Sequence, residues 1–93
     1  MIVDFADKET EKIWHGVFSR RLPVAMQQQA RLKLRMLHAA IRVEDLRVPP
    51  ANRLEALSGD RRGQYSIRIN DQWRICFRWQ DGQAAHVQII DYH

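Results

Sequence analysis

The sequence predicts an α+β fold in which two N-terminal helices pack on one face of a small, mostly antiparallel β-sheet. Two observations carry that expectation. In the first half, Met26, Ala30, Leu34, Leu37 and Ile41 recur at the spacing of one helix face. In the last third, three consecutive segments alternate apolar and polar residues, the pattern of strands with one dry and one wet face. A helix stripe and a sheet face of this kind bury each other.

Taken in order, Ile2-Val3-Asp4-Phe5 is a short strand candidate with Val3 and Phe5 on one face. Asp7 is placed to cap a first helix running to about His15, with Glu9 and Glu11 suited to the positive end of its dipole. Ile13, Trp14, Val17 and Phe18 fall on one side at helical spacing, and Gly16 weakens the helix beyond His15. Pro23 suits the first position of a long helix over Val24 to Val43. Its second face carries Arg31, Arg35, His38 and Arg42, a basic ridge with no glutamate inside the helix to neutralise it. Such a ridge reads either as a solvated face or as a contact for phosphate or an acidic partner.

Pro49-Pro50 ends any helix, and Arg53 to Leu57 reads as a short strand. Ser58 to Gly63 is a basic, turn-rich loop around Arg61 and Arg62. In the strands that follow, Ile67, Ile69, Ile75, Phe77, Val87 and Ile89 form the core face, and Ala85 is placed with them. Arg68, Arg74, Arg78 and His86 lie on the wet face. If these apolar residues share a face, paired residue numbers must sum to an even value. A two-residue Asp81-Gly82 turn gives an odd sum, so a three-residue loop Gln80-Asp81-Gly82 is preferred, pairing Trp79 with Gln83 and Phe77 with Ala85. The same parity favours Asn70-Asp71-Gln72 as the first hairpin loop.

The length, 93 residues, fits one domain spanning the whole chain, and a 45% hydrophobic content can supply one core. A net charge of +4 favours polyanions such as RNA, DNA, an acidic protein or an anionic membrane, and equally fits a soluble protein that is merely basic. The single cysteine, Cys76, cannot form an internal disulfide and reads as a small buried strand residue. No Cys/His spacing suits zinc, and no metal or other cofactor is expected. The acidic N-terminus lacks the features of a signal peptide or membrane span, so an intracellular, cytoplasmic protein is the expectation.

The run Asn52 to Arg61, then Gly63, the stretch Ser66 to Phe77 and the closing Asp91-Tyr92-His93 resemble the HigB-like toxins of the RelE superfamily, nearest to the GraT-type branch of plasmid-maintenance killer proteins. The resemblance covers the chain by length and element order and is specific over Asn52 to Phe77 and the terminus. It implies a RelE-like fold and a type II toxin, encoded beside a helix-turn-helix antitoxin of the HigA kind. The implied activity is metal-independent cleavage of mRNA on the ribosome.

Carried over residue by residue, the family's terminal acid, aromatic and histidine fall on Asp91, Tyr92 and His93, and its sheet arginine on Arg74. Arg68 and Arg78 flank Arg74, and Arg53, Arg61 and Arg62 widen the RNA-binding patch. The chain departs from the best-known members at Glu55 and Ser58, where a histidine and a lysine stand in those proteins. Glu55 can still accept a proton. Ser58 cannot supply the lost cation, which leaves that part to Arg61 or Arg62, or weakens turnover. Structural roles are open for the same residues: Arg74 as the ion-pair partner of Asp91 or Glu55, and Tyr92 as a cap on the sheet edge. Two other functions compete, a non-catalytic binder of RNA or protein and a ParE-like gyrase inhibitor.

Overall fold

The computed structural model describes residues 1–92, and the role expected of His93 lies outside them. The first helix, α1, spans Lys8–Trp14 and the second, α2, spans Val24–Ala39. Strands β1 (Glu55–Ala56), β2 (Gln64–Arg68), β3 (Trp73–Gln80) and β4 (Gln83–Asp91) form one antiparallel sheet in sequential order. Both helices lie on one face of it, so the expected α+β arrangement is the one observed. Among the described residues no helix is long and apolar enough to cross a membrane.

Helix α1 starts where the sequence places it. The Asp7 carboxylate accepts the Thr10 N–H at 2.7 Å, and Glu9 and Glu11 occupy the first turn. It ends at Trp14, one turn too early to carry Val17 and Phe18 on its buried side, and both are more than half exposed. Helix α2 buries Met26, Ala30, Leu34 and Leu37 as its spacing predicts, with Pro23 just ahead of its first residue.

Its C-terminus corrects the expectation: the helix stops at Ala39, not Val43, and Ile41 is 79% exposed rather than part of the stripe. The cause is Asp45, whose Oδ2 accepts the N–H groups of Ile41 and Arg42 at 3.0 Å each and opens a separate 3-10 turn over Val43–Arg47. Arg42 therefore leaves the basic ridge. The two N–H groups, Arg42's first, hold the Asp45 carboxyl below its ordinary value of 3.8. A carboxyl depressed by folding stabilises fully above its unfolded pKa and loses that contribution as pH falls through the lower, folded one. Asp45→Asn is thus expected to melt below wild type near neutrality. The gap should narrow in thermal melts taken below about pH 4, through protonation of the wild-type carboxylate.

The N-terminal segment touches the sheet without becoming a full strand. Ile2 bridges Ala84 and Phe5 bridges Val87, both in parallel sense. Ile2 and Phe5 pack on the core, whereas Val3, expected beside Phe5, is exposed. The expected strand over Arg53 to Leu57 shortens to Glu55–Ala56, because Arg53 adopts left-handed backbone angles (φ 46, ψ 56).

The hairpins split the parity argument. Ile67 pairs with Ile75 and Arg68 with Arg74, leaving Asn70-Asp71-Gln72 as the loop, as expected. The Asn70 side chain accepts the N–H groups of Gln72 and Trp73, closing a turn that has no glycine. In the second hairpin, however, Gln80 pairs with Gln83, so the preferred three-residue loop is wrong. Asp81 (φ 53) and Gly82 (φ 77) both take positive φ, the geometry of a two-residue I′ turn.

The odd sum set by that turn is cancelled further along, where the pairing shifts between Arg78↔Ala85 and Cys76↔Gln88. One extra residue on β4 makes a bulge. His86 sits there at φ 52, and its N–H donates to Asp4 Oδ1 at 2.5 Å. Beyond the bulge Ile75, Val87 and Ile89 face the core as predicted; before it Ala84, not Ala85, is the buried residue.

Candidate active site

On the sheet face away from the helices, Arg74 is the best-held polar side chain. It was expected on a wet surface, yet it is only 6% exposed. Its Nε donates to Ser66 Oγ at 2.9 Å, on the strand paired beside it. Its Nη2 donates to the Arg53 carbonyl at 2.6 Å, an acceptor that the left-handed backbone at Arg53 helps to aim. Its Nη1 lies 3.4 Å from Glu55 Oε1, and the Tyr92 ring covers the guanidinium with its centre 5.4 Å from Cζ. Nε and Nη2 are held by hydrogen bonds, Nη1 faces the Glu55 carboxylate, and Arg74 and Glu55 both line an opening.

That opening is a hollow of about 230 Å³ lined by Arg53, Glu55, Arg68, Asn70, Asp71, Arg74 and Tyr92. Arg68 is ion-paired to Asp71 across the first hairpin loop. A second hollow adjoins it and shares Glu55 and Tyr92; Ser58 and Arg61 line its far side. Arg61 donates to Gln64 Oε1 at 3.1 Å, which fixes it over β2. Of the two arginines offered in place of the lysine that Ser58 replaces, the structure brings Arg61 to the site. Arg62 lines neither hollow.

Two other candidates, Arg78 and Asp91, line neither hollow. Arg78 is four residues along β3 from Arg74, about 13 Å at strand rise, and lines a separate hollow with His86 and Gln83. The Asp91 carboxylate, at the end of β4, accepts from Gln72 Nε2 at 3.1 Å on the loop side of the sheet. Tyr92 is tied one residue past β4 by its N–H bond to the Gln72 carbonyl at 2.6 Å.

Cys76 is fully buried beneath this face. Burial pushes its thiol up, and the nearby Arg61 and Arg74 guanidiniums offset part of that rise. It is the small structural residue expected.

Sequence reasoning missed Ser66, Asn70 and the Arg53 carbonyl, which orient or enclose Arg74 without being reactive themselves. A serine paired across from the strand interior was the available signal for the first. The carbonyl had none, because it depends on a left-handed residue that is not glycine.

The comparisons with known proteins bear on what this arrangement is for. The model of a family described as the RelE-like toxin of the type II toxin-antitoxin system HigB matches residues 3–93. The chain belongs to the HigB-like toxins. It is 39% identical over 90 residues to Toxin HigB-1 of Vibrio cholerae serotype O1, covering 96% of this chain and 95% of that one. It is 27% identical over 93 residues to Endoribonuclease HigB of Proteus vulgaris, covering 100% of both. Among solved structures, the YoeB-YefM complex from Staphylococcus aureus contains a chain that matches with a TM-score of 0.58 at 18% identity. That alignment covers 100% of this chain and 95% of the other, and supports the RelE-like fold. The hollow around Arg74 therefore lies in a toxin of the HigB and RelE type.

Proposed function

We propose that this HigB-like toxin is an endoribonuclease that cuts mRNA on the ribosome by attack of a ribose 2′-hydroxyl on the adjoining phosphate, and that a cognate HigA-like helix-turn-helix antitoxin neutralises it. The observation that carries the reading is the preorganised Arg74 fork, lining a hollow beside a carboxylate and a phenol ring. A guanidinium held this way offers Nη1 to a phosphate oxygen and meets the charge that grows on it without rearranging.

In this reading the phosphate displaces Glu55 from Nη1. The freed carboxylate, half exposed on β1, takes the proton of the 2′-hydroxyl. The new O–P bond forms as the bond to the 5′-oxygen breaks, leaving a 2′,3′-cyclic phosphate and a 5′-hydroxyl. His93 is the proposed donor of the proton that the leaving oxygen needs, with Asp91 holding it in position. Tyr92 stacks on a base while keeping contact with Arg74. Arg53, Arg61 and Arg68 hold the flanking phosphates, and Arg78 and Arg62 extend the track outward. No step requires a metal ion.

The test is translation in vitro with purified protein, reading the 5′ ends of the message on stalled ribosomes. New 5′ ends inside the coding region are expected. Translation arrest with the message whole would replace this reading with a non-catalytic blocker, and DNA damage dependent on gyrase with a ParE-like inhibitor.

A further inference from the structure

Lys33 is a lysine on the buried side of α2, and only 5% of it is exposed. Burying an ammonium is costly, and the partner seen here is a neutral amide: Nζ donates to Asn52 Oδ1 at 2.6 Å. Burial pushes the Lys33 ammonium down from its ordinary value, and the charge on Arg68 adds to that. An apolar residue would fill this helix position at lower cost, so the lysine needs a reason.

Asn52 supplies one. It is fully buried, and its Nδ2 donates to the carbonyls of Leu46 (3.2 Å) and Val48 (3.5 Å). The side chain therefore fixes the segment 46–52 to α2 from within. The next residue is Arg53, whose left-handed backbone presents the carbonyl that receives Arg74 Nη2. The hollow's lining does not include Lys33.

We propose that Lys33 is a positioning residue for Arg74, acting through Asn52 and the Arg53 carbonyl to hold the guanidinium fork in its working orientation. The purpose of the device rests on the ribonuclease reading; its existence does not.

The experiment follows the Arg74 Nε–H, bonded to Ser66 Oγ, by nitrogen-15 NMR in the full chain, alongside single-turnover cleavage of ribosome-bound message. Lys33→Met is expected to speed solvent exchange of that proton and to lower the cleavage rate, each about tenfold, the scale of a slightly misplaced catalytic group. Amide exchange in β2 and β3 should not change. Lys33→Gln, which keeps a donor for Asn52, should stay near wild type in both readouts. Asn52→Leu cuts the same link from the other side and should reproduce the Lys33→Met result, so the comparison survives if Lys33→Met does not fold.

Added to Arg74→Ala, Lys33→Met should cause no further loss of rate, because the two act as one unit. An Arg74 proton indifferent to Lys33→Met and Asn52→Leu, or a full additional loss in the double variant, would overturn the inference. A shifted Arg74 proton in a protein whose wild type cuts no message would keep the inference and remove the ribonuclease reading.

Discussion

Arg74→Ala is expected to lower the cleavage rate about 10²–10³-fold, the usual loss when one preorganised donor to developing charge is removed. Arg74→Lys should not restore it. An ammonium lacks the planar fork that meets Ser66 Oγ, the Arg53 carbonyl and a phosphate oxygen at once. The alanine variant should also lose about 1–3 kcal/mol of stability, because it strands buried acceptors. Single-turnover cleavage and urea melts on the same samples separate the two effects. If the melt shifts but the rate stays within a few-fold of wild type, Arg74 is a structural bridge and no more.

Glu55→Gln carries the second large effect, and its sign pattern is the informative part. Removing the general base should lower the rate about 10²–10⁴-fold. It also removes a negative charge 3.4 Å from Arg74 Nη1, so binding of the message should hold or tighten. A fall in rate with unweakened binding fits a base that steps aside for phosphate. If Glu55 served only to neutralise Arg74, the rate would survive and stability would change slightly, since Glu55 is 51% exposed in this pair. Rate and affinity measured separately on programmed ribosomes decide between them.

Much of this frame was legible in the residues. The α2 stripe from Met26 to Leu37 and the core face of Ile67, Ile75, Phe77 and Val87 follow from periodicity alone, since burial imposes it. What failed were places where one local hydrogen bond overrides a pattern. Asp45 captures two N–H groups and ends α2 before Ile41 reaches the core. The bulge at His86, braced by Asp4 from the other end of the chain, restores the register that a longer loop was expected to set. Parity required one extra residue in the second hairpin; it could not say whether that residue lay in the loop or the strand.

The site was legible by residue type and less so by environment. Alternation placed Arg74 on the outer face, and the resemblance marked it, Glu55 and Tyr92 as candidates. Alternation also grouped Arg78 with Arg74, from which it stands four strand residues away. That Arg74 would be nearly buried depended on Ser66, on the backbone at Arg53 and on Tyr92 folding over it, contacts made across three separate segments. The Lys33–Asn52 link joins residues 19 apart and shows in sequence only as a lysine beside an apolar stripe.

The most direct measurement uses two ribosome-bound messages that differ in a single atom, the 2′-oxygen of the nucleotide before the cut. Wild-type protein should cleave the ribose message to a 2′,3′-cyclic phosphate and a 5′-hydroxyl, leave the 2′-deoxy message whole, and lose the ribose reaction on Arg74→Ala. Comparable cutting of the deoxy message, or undiminished cutting by Arg74→Ala, would contradict a reaction centred on one phosphate held in the Arg74 hollow.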